Sequence, residues 1–251
     1  MNVNAVMTAS GSAGLSLETS ASAADGGVAM ALTGNASSGS AFTGRVDFTG
    51  TGQSYKVNGT AYTLIRTLAE LEAIRPAANG TITSAYALAA DVDWSGAASQ
   101  TTLGFLGGSG RFDGLGHRLL DLVIAGSADD IGLFSYNSGG VIRNVGVRGG
   151  SVSGGGWVGA LVGANFGILA HVYSTANLSG TLFVGGLVGL HNGSGSLIAD
   201  AWAGGNVTGT GAVGGLVGTT QPGGAINNVW ASGNVTGQDS VGGLVGVTQT
   251  N

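Results

Sequence analysis

Val184-Gly-Gly-Leu-Val-Gly189, Val213-Gly-Gly-Leu-Val-Gly218 and Val241-Gly-Gly-Leu-Val-Gly246 state one six-residue phrase three times. Val158-Gly-Ala-Leu-Val-Gly163 and Ile131-Gly-Leu-Phe-Ser135 vary it. The first residues of the five copies are 27, 26, 29 and 28 apart. Each interval holds two further marks. One is a short apolar run, beginning at Ile142, Leu169, Ile198 and Ile226. The other is Val152-Ser-Gly, Leu178-Ser-Gly, Val207-Thr-Gly and Val235-Thr-Gly. A fixed period in this range is the signature of a solenoid or array.

The offsets within the period show which corner is constrained. From the third mark to the next phrase the distance is six every time. From the phrase to the apolar run it is 11, 11, 14 and 13, so insertions collect at His191–Ser196 and Thr219–Gly224. Three strands and three corners per period predict an all-β fold, a right-handed parallel β-helix with one short helix. Stacked coils satisfy one another's edge hydrogen bonds at ~4.8 Å intervals. Within the phrase, Val213 and Leu216 differ by three and cannot both face inward on a straight strand. The leucines Leu133, Leu161, Leu187, Leu216 and Leu244 are expected inside.

The phrase at this period resembles the GLUG motif, named for its Gly-Leu-any-Gly core. That motif occurs in large secreted bacterial proteins similar to filamentous haemagglutinins and beside immunoglobulin-A-cleaving metallopeptidases. Tyr62-Thr-Leu-Ile65, Ala87-Leu-Ala-Ala-Asp-Val-Asp-Trp94 and Gly110-Arg-Phe-Asp-Gly-Leu-Gly-His117 look like the usual lead-in, so the resemblance covers roughly residues 60 to 251. It implies a secreted or outer-cell-surface adhesin, a rod for cell adhesion. Two family features, a secretion domain with its amino-terminal signal and a peptidase His-Glu-x-x-His, are not in this sequence.

Composition narrows the classes. Glycine supplies 51 of 251 residues, against a usual ~7%, and no Gly-X-Y period makes it collagen. Charged residues are 8% and the net charge is −5. No Lys or Arg follows Arg148, so the basic stripe of a nucleic-acid binder is missing. Cysteine is absent, which removes disulfides, thiol catalysis and thiolate metal sites. No apolar run approaches the ~18 residues of a transmembrane helix. The start has neither the basic nor the apolar region of a signal peptide. A fifth phrase just before the last residues suggests a fragment of a longer protein or a truncated frame.

Taken in order, residues 1–60 are Ala/Ser/Gly-rich with short alternating runs. They read as irregular β-helix coils, with a disordered linker as the alternative. Residues 61–80 contain the helix: Thr67 and Glu70 make a capping box, Leu68, Leu71 and Ile74 share a face, and Pro76 follows. Residues 81–130 read as irregular coils and 131–251 as the repeats.

Catalysis would need two carboxylates facing one bond. Asp129-Asp130, with Asp91, Asp93, Asp113, His117 and Arg143 in the same half, are the candidates, but none recurs at coil spacing. Asp91 and Asp93 share a face for calcium, yet hard cations want six or more oxygens. His171 and His191 stand alone. No catalytic residue, metal ligand or cofactor is therefore assigned, and the chain is read as a non-enzyme.

One recurrent column remains. Aligning the apolar runs puts Val145, Val172, Ala201 and Val229 on one parity, and Asn144, His171, Asp200 and Asn228 on the other, followed by Tyr173, Trp202 and Trp230. The polar column argues that its parity faces out, since unpaired burial costs ~1–3 kcal/mol per group. Tyr173, Trp202 and Trp230 are thus expected as a solvent-facing exterior ladder, a structural brace or a stacking strip for glycans or a host or bacterial surface. End-to-end self-association is the other expected contact. The expected function is a structural and adhesive rod, with the passive stalk of a surface peptidase and a carbohydrate-active β-helix enzyme as rivals.

Overall fold

The computed structural model describes residues 2–3, 5–18, 28–30, 32, 42–76, 80–97 and 101–249. The chain winds as an all-β parallel solenoid with one short helix. Three sheets wrap the interior. A five-stranded sheet stacks Asp130–Ile131, Trp157–Val158, Phe183–Gly185, Ala212–Gly214 and Ser240–Gly242. A seven-stranded sheet runs from Thr81–Ile82 to Val245–Thr248. A fifteen-stranded sheet, the long sheet below, carries the second and third marks, for example Leu197–Ala203 and Val207–Thr208.

Register follows the phrase. Val158, Val184, Val213 and Val241 pair in turn across the five-stranded sheet. Val162, Val188, Val217 and Val245 do so across the seven-stranded one. The phrase therefore straddles a corner. Its first valine ends one sheet, Gly-Leu turns, and its second valine opens the next. For this reason Val213 and Leu216 are both fully buried. The straight-strand choice between them was unnecessary. Leu133, Leu161, Leu187 and Leu216 are interior as expected, and Leu244 is half-buried on the last coil.

Glycine explains the six-residue spacing. A Cβ on Gly180 would stand 2.8 Å from Val184 Cγ2 and 2.9 Å from Val158 Cγ2. The same glycine one coil on, Gly209, meets Val213 and Val184. The third mark thus lies against the first valines of its own coil and its neighbour, and extra residues between them would part that contact.

The helix Leu68–Ala73 has its predicted capping box, Thr67 with Glu70. Leu71 and Ile74 join the interior cluster near the first coils, where Thr81–Ile82 begins the seven-stranded sheet. At the far end Val229, Val235, Leu244 and Val245 are half-buried and Val241 is exposed.

The described part of residues 1–60 differs from the expected coils. Asn2–Val3, Val6–Ala9 and Leu15–Leu17 pair in parallel with Ala29–Met30, Arg45–Phe48 and Tyr55–Val57. Their apolar side chains do not join the interior. Val28, Met30, Phe42, Val46, Phe48 and Tyr55 form a second cluster with Ala87, Leu115, Tyr173 and Trp202 on the outside of the long sheet. Tyr55–Val57 joins the edge of the long sheet antiparallel to Thr60–Ile65, but without the phrase the stretch does not continue the coils, and its alternating apolar faces bury against the outer surface instead. Phe42 to Phe48 crosses the coils. Phe42 packs on Tyr173, Val46 N–H bonds Leu115 O, and Phe48 N–H bonds Ala89 O.

Candidate functional site

The long-sheet run that carries the aromatic column is bent. Asn144, His171, Asp200 and Asn228 have φ of 54°, 52°, 50° and 49°, the left-handed region. Asn, Asp and His are the non-glycine residues enriched there. The polar column is thus a backbone requirement as much as a preference for water. Asn144 is wholly buried, whereas Asn228 is exposed.

Beyond the bend, Val145, Val172 and Ala201 face the interior, and Tyr173, Trp202 and Trp230 face away from it. The three rings stack at centroid distances of 4.8 and 4.7 Å, with interplanar angles of 8° and 4°. The expectation of solvent exposure is corrected. Tyr173 is 0% and Trp202 2% exposed, and Trp230 is half-buried. The amino-terminal layer covers the strip, with Phe42 tilted on Tyr173 at 5.4 Å. Face-to-face stacking also spends the ring surfaces that a sugar would use. The ladder is a seam between two layers.

A buried polar cluster pins that seam. Asp113 Oδ2 accepts from Arg143 Nε at 2.8 Å and from Tyr55 O–H at 3.3 Å. Asp113 Oδ1 accepts from Asn144 Nδ2 at 2.9 Å and from Leu115 N–H at 3.0 Å. Asn144 then reaches the outer layer, donating to Val28 O and accepting from Met30 N–H. Burial pushes the Tyr55 and Tyr62 hydroxyls upward, so both stay neutral, Tyr55 donating to Asp113 and Tyr62 accepting from Arg143 Nη2 at 3.4 Å. Burial alone would lower the Arg143 guanidinium, but Asp113 together with Tyr62 and Tyr55 outweighs it and raises it.

The other candidate acids separate into structural pairs. Asp91 holds Arg118 at 2.6 Å and lies 3.4 Å from His117 Nδ1, while His117 Nε2 lies 2.9 Å from Val46 O. Burial alone would raise the Asp91 carboxyl, but hydrogen bonds from His117 and Arg118 win and hold it well below the usual range. Asp93 caps the Ser95 N–H at 2.7 Å. The Asp91/Asp93 pair thus does not converge, and among the described residues no group of three or more acids or histidines could hold a metal. Burial, then the Asp129 charge, raise the Asp130 carboxyl, whose Oδ1 is buried without a partner. His171 lies 3.8 Å from Asp200. His191 is not isolated. It meets Asn165 Nδ2 at 3.1 Å and Ala225 O at 3.2 Å, and Asn165 in turn accepts from Asn137 at 2.8 Å. Burial lowers its imidazole. This buried Asn-Asn-His ladder went unread because Asn137 and Asn165 fall between the marked positions.

A second aromatic stack was also missed. Phe105, Tyr136 and Phe166 follow one another on the seven-stranded side at 5.5 and 5.0 Å. Phe105 is 46% exposed and the other two half-buried. Their spacings of 31 and 30 lie outside the phrase period, so no column in the repeats announced them.

The chain is a parallel β-solenoid repeat domain. No family model matches it. A crystal structure of a putative immunoglobulin A1 protease from Bacteroides ovatus shares the fold, with a TM-score of 0.62 and 22% identity over 76% of this chain and 63% of that one. Halomucin from Haloquadratum walsbyi (strain DSM 16790 / HBSQ001) is 41% identical over 83 residues, 32% of this chain. The matched stretch is 1% of halomucin's own length.

Proposed function

We propose that this chain is a rigid rod segment of a secreted or outer-surface protein, built to display or attach at a fixed distance. The parallel register that recurs coil after coil in three sheets carries this reading, since it gives a shape that extends by one coil per repeat. The kinship of sequence with halomucin supports a surface setting. The GLUG-like phrase supports an adhesin similar to filamentous haemagglutinins. Partners of this rod are glycans or a host or bacterial surface, and a second copy end to end at the half-buried last coil. The chemistry is binding and mechanical: Asp113, Asp91 and Asp93 are held by Arg143, Arg118 and the Ser95 N–H rather than turned toward a common bond.

Small-angle scattering of the purified chain tests the shape. An elongated particle of constant cross-section is expected, and a globular profile would overturn the rod. Labelled antibody on intact cells tests the location. A second reading, the stalk of a surface peptidase, is favoured by the fold shared with the Bacteroides ovatus protein. Cleavage of immunoglobulin A1 by the full-length product would select it.

A further inference from the structure

Beyond Tyr173 on the outer face of the long sheet lies a cleft of about 380 Å³ lined by Leu120, Asp121, Arg148, Gly149 and Thr175. Three successive coils build it. Leu120 pairs with Arg148, and Val147 with Ser174, which sets Thr175 beside Arg148. The strand ladder is interrupted here. Pairing runs through Leu120 with Arg148, resumes at Leu122 with Gly150, and skips Asp121 opposite Gly149. At the break Asp121 has a φ of 52°, with Gly149 at 71° and Gly150 at 81°. A left-handed aspartate carries a strain cost that a plain strand would avoid, and such breaks in a ladder re-aim side chains.

The re-aimed groups form a polar set with open valences. The Asp121 carboxylate rests against Gly149, where an added Cβ would collide with its Oδ1. Gly149 N–H donates to Thr175 Oγ1 at 2.9 Å, so the threonine hydroxyl proton is directed elsewhere. Asp121 and Arg148 are both exposed, and neither forms an ion pair among the described residues. No Lys or Arg follows Arg148 in the chain.

We propose that this cleft binds a neutral sugar residue bearing vicinal hydroxyls. The carboxylate accepts two adjacent O–H groups, and the guanidinium and the Thr175 hydroxyl donate to sugar oxygens. Leu120 offers an apolar surface to the C–H face. Charge-assisted hydrogen bonds of this kind are about twice as strong as neutral ones. Neutrality follows from the lining, because one negative and one positive group cancel, and from the net charge of −5, which disfavours anions. The cleft lies at the small end of ligand-sized sites, ~300–1,000 Å³, with room for one sugar residue. The site supplies the attachment role of the rod and rests on that reading for its setting alone.

Saturation-transfer NMR on the whole chain, with the methyl glycosides of mannose, galactose, glucose and fucose at millimolar concentration, tests it. Transfer to at least one glycoside is expected. Asp121→Asn and Arg148→Gln should each weaken it by roughly tenfold. Asparagine tolerates the left-handed backbone, so Asp121→Asn keeps the fold, which circular dichroism and the melting curve verify. Phe105→Ser, on the opposite aromatic stack, should leave binding unchanged. Absence of transfer from all four glycosides, or transfer that survives both cleft variants, would overturn the site. Neither result bears on the scattering profile, so the rod stands or falls separately.

Discussion

Leu187 and Trp202 belong to the same coil, and both are buried, one inside the solenoid and one on its outer face. Leu187 is surrounded by copies of itself. Leu161 and Leu216 occupy the same place on the coils on either side, and each is equally buried. Trp202 has a repeated neighbour on each side, Tyr173 and Trp230, but its seam is closed by residues that occur once, Met30, Phe42 and Tyr55. The interior is specified by repetition. The outer seam is specified by a single matched layer and by the Asp113 cluster that holds it. Damage should therefore spread differently from the two sides.

The largest effect is expected from Asp113→Ala. It leaves the buried Arg143 guanidinium without its carboxylate, at a cost of about 3–5 kcal/mol, read as a lower urea midpoint by circular dichroism. A loss no greater than that of a surface substitution would mean that the seam contributes little. On the interior side, Leu216→Ala should cost about 2–5 kcal/mol in the same experiment. If it cost less than half a unit of that scale, the inward assignment of the leucines would have to be abandoned. Removing only one bond of the seam is a finer probe. Tyr55→Phe deletes the hydroxyl on Asp113 and should cost about 1 kcal/mol, with Trp202 becoming more accessible to acrylamide quenching.

Acid offers a gentler contrast. The Asp91 carboxyl is held low in the folded chain. Its contribution is then complete above the ordinary carboxylate value of ~3.9 and is lost as the pH falls below it. A pH titration of the melting temperature should show a decline there that Asp91→Asn flattens. The smallest effect belongs to Leu244→Ala, since that side chain is only half-buried on the last coil. A penalty of about 1 kcal/mol is expected, and a value matching Leu216→Ala would show that this coil is covered in solution.

The solenoid was legible because its glycines and valines recur at positions where backbones touch. The period alone set the register of three sheets between Ile131 and Val245. The helix was legible from its capping box. The outer layer was not. Its partners, such as Met30 with Asn144, lie more than a hundred residues apart and meet once. The polar column misled for a definite reason: Asn, Asp and His suit both water and a left-handed bend, and sequence alone does not separate the two at Asn144 and His171. Parity placed the aromatic ladder on the correct side of the sheet, and the neighbouring layer, invisible to parity, decided its exposure.

The crossing of Phe42 to Phe48 has a mechanical consequence. Hydrogen bonds between coils run along the rod, so tension between its ends loads them head-on. From the coil of Tyr173 back to that of Ala89, a covalent stretch of backbone lies alongside those bonds and is fastened to three coils by Phe42, Val46 and Phe48. Among the described residues, the coils from Val184 to Val247 share no such strap. A stretched molecule would part there first, while the strapped half kept its shape.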